Sequence, residues 1–189
     1  MSKTSFLFQG IDLEVNILQD VKRTISTSGA NVLITSAYLR RRAVEELAPT
    51  LKQVGQLGKV LVGIRNGATS AQALTALVKT GVHVYVVDTG ATELIFHPKF
   101  YAAYTENSAT LICGSANFTP SGLWRNFESV TTTELDLENE DDYLAWSSVL
   151  DAIEKVLNLD TQNVFEVRDV SIVNELLASG RVVDEDRTA

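Results

Sequence analysis

The sequence predicts a single mixed α/β domain in which a mixed sheet is flanked by helices. Strand-like and helix-like segments alternate over the first half of the chain, and a β-rich region followed by helices makes up the second half. The 189 residues are 45% apolar, which is enough for one substantial core but not for two. No internal repeat, low-complexity tract or linker rich in proline and glycine divides the chain.

The first half of the chain alternates helices with apolar strands. The segment Ala30–Tyr38 is almost continuously apolar, as is typical of a strand buried on both faces. A helical apolar pattern precedes it over 12–26, and a helix that opens at a cluster of three arginines follows it over 40–54. The next elements, in chain order, are a strand over 59–64, a helix capped by Thr69 or Ser70 and ended by Gly81, and a strand over 82–87. This order predicts a parallel sheet covered by helices.

The second half begins with a predicted hairpin. The segments 96–104 and 109–114 are rich in β-forming residues and are joined by a short polar turn, a spacing that suits an antiparallel pair. A further strand is expected over 126–135. The hairpin and this strand therefore extend the parallel sheet into a mixed one.

Two helices follow the β-rich region. The first begins at Asn139, and its apolar stripe from Trp146 to Leu157 predicts core packing, with a share in a dimer interface as the alternative. The second covers 170–178. We expect the domain to span residues 1–183 and a polar, disordered tail to span residues 184–189.

Composition excludes several classes of protein. The formal charge is −8, which rules out a globally basic nucleic-acid coat but leaves room for a local basic groove. The single cysteine, Cys113, rules out an intrachain disulfide framework and a cysteine-rich zinc site, and it is expected to be buried and unreactive. No signal segment and no apolar run of roughly 20 residues is present, so we expect a soluble, cytoplasmic protein without a membrane partner.

The candidate chemistry lies in the predicted hairpin and the strand after it. His97 and Lys99 are two residues apart, so in a strand they share a face, and the same holds for Ser115 and Asn117. Glu128, on the next predicted strand, can join them. If the strands pair, an imidazole, an ammonium, a hydroxyl, a carboxamide and a carboxylate converge.

These groups suit the cleavage of a phosphodiester. A neutral imidazole can attack phosphorus and carry the phosphoryl group covalently. Lysine supplies positive charge, and asparagine and serine supply directed hydrogen bonds to the phosphoryl oxygens. A carboxylate can orient the imidazole, and a second, protonated imidazole can protonate the leaving alkoxide.

The motif residues resemble a known family. His97-Pro98-Lys99 followed by Gly114-Ser115-Ala116-Asn117 is similar to the His-x-Lys and Gly-Ser-x-Asn signature of the phospholipase D superfamily. An aspartate usually follows the lysine by five residues in that signature, whereas this chain has Tyr104, and the gap to the Gly-Ser pair is about three residues longer. In both respects this chain resembles the restriction-nuclease branch of the superfamily, which BfiI typifies. The resemblance implies a phospholipase D-like fold and a catalytic set of His97, Lys99, Asn117 and Glu128.

The resemblance also implies a mechanism and partners. Two His-x-Lys motifs form each active centre of the family, and this chain has one, which implies a homodimer with a shared site. One His97 would form a phosphohistidine and the other would protonate the leaving oxygen, with no metal and no cofactor. The implied substrate is DNA, with RNA as an alternative. A separate DNA-recognition domain or subunit is the further partner that the resemblance implies.

Several alternatives stay open at this stage. The other histidine, His83, lies near the start of a predicted parallel strand and is expected to be structural. Gly114 and Ser115 are candidates for phosphate binding or for simple packing, and Arg125 is a candidate phosphate contact, as are the arginines at 40–42. The acidic run over 134–142 is expected to be solvated rather than to hold a metal. A lipid or small-molecule phosphodiesterase and a non-catalytic phosphate-binding module are the competing functions.

Overall fold

The predicted helices and strands are present in the predicted order, together with two further strands. The computed structural model describes residues 2–11, 15–91, 93–160 and 162–187. Its elements in chain order are β1 Lys3–Gln9, α1 Ile17–Ile25, β2 Asn31–Ser36, α2 Arg41–Val54, β3 Gly58–Gly63, α3 Ala71–Val78, β4 His83–Val87, β5 Phe100–Tyr104, β6 Ser108–Gly114, β7 Glu128–Asp136, α4 Glu140–Leu157, β8 Val164–Glu166 and α5 Val170–Ala178. A 3₁₀ turn at Gly55–Leu57 and a π-helical turn at Ser121–Arg125 connect longer elements.

The sheet is mixed, as predicted. Its strand order is β1-β7-β6-β5-β2-β3-β4-β8. The neighbours β2, β3 and β4 are parallel, and every other pairing is antiparallel. The parallel half comes from the strand–helix alternation, and the antiparallel half comes from the hairpin β5–β6 and its neighbours.

Each face of the sheet has its own hydrophobic core. Helices α1, α2, α3 and α5 pack on one face around residues such as Ile34, Tyr101 and Ile112. On the other face, α4 packs through Trp146 and Ile153 against residues of β2, β3 and β5. The predicted apolar stripe of α4 is therefore core packing, because Trp146 is 2% exposed.

Three strands differ from the sequence prediction. Strand β1 was not predicted, because only one of its seven residues is buried and it therefore lacks an apolar run. Strand β8 has three residues, too few for a periodicity. The predicted strand over 96–104 begins only at Phe100, since Pro98 has no N–H to give to a sheet ladder. The geometry that brings His97 and Lys99 together is thus that of a loop, not of a strand.

Cys113 is exposed, which contradicts the predicted burial. It alternates with the buried Ile112 on β6, and its own side of the sheet carries no helix at that point. An apolar sequence pattern cannot distinguish a strand covered on both faces from one covered on a single face.

The segment predicted as a disordered tail makes defined contacts over 184–187. The carboxylate of Glu185 accepts hydrogen bonds from Ser70 Oγ at 2.5 Å and from the Arg41 backbone N–H at 3.1 Å. Asp186 forms an ion pair with Arg41 at 3.2 Å. Residues 188–189 lie outside the described residues, as do residues 12–14 of the predicted first helix. Within the described ranges, no helix is long and apolar enough to cross a membrane.

Candidate active site

The topology brings four chain segments to one edge of the sheet, which we call the site edge. Strand β2 ends there, at Ser36. Because β5 runs antiparallel to β2, the start of β5 lies at the same edge, and the antiparallel pairings that follow add the end of β6 and the start of β7. His97 and Lys99 immediately precede β5, Ser115 and Asn117 follow β6, and Glu128 begins β7. The sheet therefore collects every predicted catalytic residue at one edge.

His97 and Lys99 are in direct contact. Lys99 Nζ lies 2.8 Å from His97 Nδ1 and donates a hydrogen bond to the His97 carbonyl oxygen at 2.7 Å. Partial burial lowers the pKa of His97, and the Lys99 ammonium lowers it further. A depressed pKa keeps the imidazole neutral near pH 7, and neutrality is what a nitrogen nucleophile requires.

Groups from the other segments affect the pKa of Lys99. Desolvation lowers the pKa of the Lys99 ammonium, and the Glu128 carboxylate and the Cys113 thiol partly oppose that shift. The carboxylate therefore lies close enough to Lys99 to affect its charge. A phosphate that enters here meets a partly desolvated ammonium, whose attraction for an anion is stronger than that of a fully hydrated one.

Ser115 and Glu128 form the second contact pair. Ser115 Oγ donates to Glu128 Oε2 and accepts from the Ser129 backbone N–H at 3.0 Å. Asn126 Nδ2 lies 3.5 Å from Glu128 Oε1. Within the described residues, no hydrogen bond joins Glu128 to His97, so the predicted orientation of the imidazole by this carboxylate is not formed within one chain.

Gly114 is required by packing. A Cβ atom at this position would lie 2.2 Å from the Ser129 carbonyl oxygen and 2.8 Å from the Val130 Cα atom. That close approach allows the Ser115 N–H to bond the Ser129 carbonyl at 3.0 Å beyond the end of β6. The packing alternative for Gly114 is therefore the one that the structure supports.

The side chain of Asn117 is held through its amide oxygen, and its amide nitrogen can donate to a ligand. Its Oδ1 atom accepts a hydrogen bond from the Tyr38 backbone N–H at 3.2 Å. Its Nδ2 group has no hydrogen-bond partner in the part of the chain that the structure describes, so both amide protons are available to a ligand. The following residue, Phe118, is fixed by a bond from its N–H to Ser36 Oγ at 2.8 Å.

Tyr38 is a site residue that the sequence analysis missed. Its ring packs edge-on against the His97 ring with centroids 6.1 Å apart, and its backbone holds Asn117. It connects the histidine segment with the asparagine segment. Its position just beyond the carboxyl end of β2, where ligands of α/β sheets gather, was the available signal.

A cleft of about 450 Å³ lies beside two of the candidate catalytic residues. Asn117 and Glu128 line it, together with Tyr38, Arg40 and Arg125. Of the three clustered arginines, Arg40 alone is among the lining residues, whereas Arg41 pairs with acids of the last segment. The cleft therefore offers two guanidinium groups beside Asn117 and Glu128, whereas His97, Lys99 and Ser115 are not among its lining residues.

His83 lies away from the site. It begins β4, at the edge of the parallel strands opposite to the site edge, and its Nδ1 atom is 2.6 Å from Glu166 Oε1. This hydrogen bond joins β4 to β8. The geometry supports the structural role that the sequence analysis favoured.

The fold and the site edge together define a phospholipase D-like domain. A family model described as "Cardiolipin synthase, PLD-like domain" matches residues 21–141. The match covers more than half of the chain, and the chain belongs to this phospholipase D-like family. Among curated proteins, none is detectably similar to it in sequence.

Solved structures confirm the predicted fold. Nuc from Salmonella typhimurium, a phospholipase D family member, superposes with a TM-score of 0.66 at 16% identity, covering 89% of this chain and 100% of that one. NucT from Helicobacter pylori gives 0.60 at 17% identity, covering 82% and 97%. The phosphatidylserine synthase of Haemophilus influenzae Rd KW20 gives 0.58 at 15%, covering 93% of this chain and 42% of that one. At these identities the likeness concerns the fold alone.

Proposed function

We propose that this protein is a metal-independent phosphodiesterase that cleaves DNA as a restriction-type endonuclease. The observation that carries the proposal is the contact of Lys99 with His97 at the same sheet edge as the Ser115–Glu128 pair and Asn117. A nucleophile of depressed pKa, a partly desolvated cation and an unpaired amide donor are the parts that phosphoryl transfer needs. Family membership and the BfiI-like motif are consistent with it.

Each group has a role in the proposed reaction. The neutral His97 ring attacks phosphorus, the bond to the leaving oxygen breaks, and a phosphohistidine forms. Lys99 and the Asn117 amide neutralise and hold the phosphoryl oxygens. Water then attacks the phosphohistidine, and the histidine is regenerated. Ser115 and Arg125 contact the substrate phosphates, and Glu128 fixes Ser115.

The leaving oxygen needs a proton from a second acid. Within one chain, the other histidine, His83, is hydrogen-bonded to Glu166 at the far edge of the sheet. We therefore propose a homodimer in which the His97 of a second copy supplies the proton. A separate DNA-recognition domain or subunit would supply sequence specificity.

Cleavage in a chelator is the direct test of the proposed function. We expect supercoiled plasmid to be nicked and linearised at an undiminished rate in excess EDTA, because protein cations replace a metal at the phosphoryl oxygens. The Lys99→Met variant, which keeps the length of the side chain without its charge, is the matched control and should lose most of the activity. Complete loss of wild-type cleavage in EDTA would contradict the metal-free mechanism.

The pH dependence of cleavage follows from the depressed pKa of His97. Acid removes activity by protonating the nucleophilic imidazole, and partial burial and Lys99 both oppose that protonation. The acidic limb of kcat/KM should therefore have its midpoint below 6.5, the ordinary value for histidine. In Lys99→Met, the acidic limb of the residual kcat/KM should have its midpoint at higher pH, because the ammonium that helps to lower the pKa of His97 is gone. A wild-type midpoint above 6.5 would be inconsistent with this site.

A lipid phosphodiester is the competing substrate. The family description and the fold shared with a phosphatidylserine synthase favour it as the second candidate. Parallel assays on plasmid DNA, single-stranded RNA and anionic phospholipid vesicles distinguish the two. Turnover of the phospholipid with none of the nucleic acids would replace the nuclease proposal, and binding without turnover would indicate a phosphate-binding module.

A further inference from the structure

Asn117 lies between two buried residues of the segment that follows β6. Ala116 is 1% exposed and Phe118 is fully buried, whereas Asn117 is partly exposed and lines the cleft. Its neighbours in the chain are thus fixed in the core while its own side chain meets the ligand space. The position of the Asn117 amide therefore depends on how the peptide groups on either side of it are held.

A serine hydroxyl holds the residue after Asn117. Ser36, the last residue of β2, is fully buried. Its Oγ atom accepts a hydrogen bond from the Phe118 N–H at 2.8 Å and donates one to the Tyr38 carbonyl oxygen at 2.7 Å. Tyr38 in turn donates its N–H to Asn117 Oδ1 at 3.2 Å. Ser36 therefore connects the backbone beside Asn117 with the residue that binds the Asn117 side chain.

A tyrosine hydroxyl holds the residue before Asn117. Tyr101 of β5 is 1% exposed, and its Oη atom donates a hydrogen bond to the Ala116 carbonyl oxygen at 3.2 Å. Burial raises the pKa of the Tyr101 hydroxyl well above its ordinary value, and the Glu128 carboxylate raises it further. The hydroxyl therefore stays protonated, and remains a donor, at neutral pH. The proposed reaction uses neither this hydroxyl nor that of Ser36.

The register of the sheet explains why Ser36 reaches the segment of Asn117. Strand β5 pairs with β2 only as far as Thr35, which lies opposite Phe100. Beyond that point the chain after β2 runs beside Phe118 instead: Leu39 forms an isolated parallel bridge with it, and the Arg40 N–H donates to its carbonyl oxygen at 3.2 Å. The Ser36 hydroxyl lies where this second pairing begins.

The backbone of Asn117 is closely packed from the other side. A Cβ atom at Gly122 would lie 2.4 Å from the Asn117 carbonyl oxygen and 2.6 Å from its nitrogen. The Thr119 N–H also donates to that carbonyl at 2.7 Å. If the Ser36 hydroxyl is removed, the buried Phe118 N–H loses its acceptor, and the segment must shift to satisfy it. Such a shift moves the Asn117 amide away from its place in the cleft.

We propose that Ser36 and Tyr101 are positioning residues that hold the Asn117 amide toward the phosphoryl oxygens, and we call this pair the hydroxyl clamp. The inference rests on the proposed function, in which Asn117 binds those oxygens. Neither hydroxyl touches the substrate, since both side chains are buried. A hydrogen-bond donor stabilises a transition state when it is already in place, so a displaced amide loses its effect although it is still present.

Removing either hydroxyl tests the clamp. Ser36→Ala and Tyr101→Phe should each lower kcat for DNA cleavage about tenfold while KM changes by less than about twofold, because substrate still binds to the arginines of the cleft. Denaturant unfolding checks that both variants are folded. Ser36→Cys keeps the shape of the side chain with a weaker donor and acceptor, and it should give an intermediate kcat. Unchanged kcat in both Ser36→Ala and Tyr101→Phe would overturn the inference.

Combination with Asn117→Ala separates positioning from general destabilisation. Asn117→Ala alone should lower kcat about 100-fold, as is typical of the loss of one donor to a transition state. If the clamp acts through Asn117, Ser36→Ala and Tyr101→Phe should lower kcat by less than about twofold more once this amide is gone. A further tenfold loss in the double variants would show that the two hydroxyls act independently of Asn117, and it would overturn the inference.

Thr80→Val is the matched control. Thr80 is 5% exposed, and its hydroxyl donates to the Leu77 carbonyl oxygen at 2.7 Å, just before β4 at the edge of the sheet opposite to the site edge. This variant loses a buried hydroxyl and a bond of the same kind, but it should keep kcat within about twofold of wild type. An equal loss of kcat in Thr80→Val and in the clamp variants would reduce the effect to stability and overturn the proposal.

Nuclear magnetic resonance gives a readout that needs no turnover. The proton–nitrogen signals of the Asn117 side-chain amide, assigned by their absence from Asn117→Ala, should shift when inorganic phosphate is added to the wild type. The phosphate concentration that half-saturates the shift should rise at least about threefold in Ser36→Ala and Tyr101→Phe but not in Thr80→Val. Equal phosphate affinity in all variants, or no response of the amide in the wild type, would overturn the clamp. Weakened phosphate binding in a protein that cleaves no DNA would uphold the clamp and reject only the proposed function.

Discussion

His97→Ala is expected to lower cleavage by about 10⁴-fold or more at every pH, because both the nucleophile and the general acid are lost in the dimer. No other imidazole can take over, since His83 is held by Glu166 away from the site. The measurement is the rate of plasmid nicking, together with capture of an acid-labile phosphoryl adduct on the protein. His83→Ala should retain both the activity and the adduct.

Mixing the two proteins adds a stoichiometric test of the same residue. If each site takes one His97 from each subunit, a mixed dimer is inactive. An equal mixture of wild type and His97→Ala after subunit exchange then keeps about a quarter of the activity, whereas independent sites would keep about half. Substantial cleavage by His97→Ala alone would remove this residue from the mechanism.

Gly114→Ala is expected to cost about 1–3 kcal/mol of folding stability and most of the cleavage activity. The new Cβ would lie 2.2 Å from the Ser129 carbonyl oxygen, so β6 and β7 must separate. Separation breaks the bond between the Ser115 N–H and that carbonyl and moves Ser115 away from Glu128. Denaturant unfolding and the nicking rate measure the two effects.

Two neighbouring substitutions separate backbone displacement from loss of a side chain. Cys113→Ala removes an exposed side chain from the same strand and should leave the unfolding free energy almost unchanged. Ser115→Ala removes the hydroxyl bonded to Glu128 but keeps the strand pairing, so it should destabilise the protein less than Gly114→Ala. Equal stability of Gly114→Ala and wild type would show that the strands accommodate a methyl group.

The elements predicted well are those with a strong local signal. The helix over 170–178 has the predicted bounds, with Asp169 as its cap, and Ser70 caps α3 as expected. Strands β2, β3 and β4 are buried and apolar, so their pattern alone identified them. Strand β1 escaped detection because an exposed edge strand buries too little to leave a pattern.

The candidate site was predicted by residue type and only partly by geometry. Alternation of side chains in a strand predicted that His97 and Lys99 lie together, but both residues lie in a loop, where Lys99 Nζ contacts the ring and the carbonyl oxygen of His97. Tyr38 was missed because its contribution is a backbone N–H and a ring edge, which no motif encodes. Cys113 is exposed because α4 does not extend over that part of the sheet.

The sequence by itself determined the α/β class, the family resemblance and the chemical groups of the site, because periodicity and motifs are local properties of the chain. Only the tertiary structure decided that β5 runs antiparallel to β2, which is what brings the start of one strand beside the end of the other. It also decided that α4 packs over residues of β2, β3 and β5, while Cys113 of β6 is left exposed. The pairing of strands and the packing of helices on the sheet depend on contacts between residues far apart in the chain. A local sequence pattern does not predict such contacts.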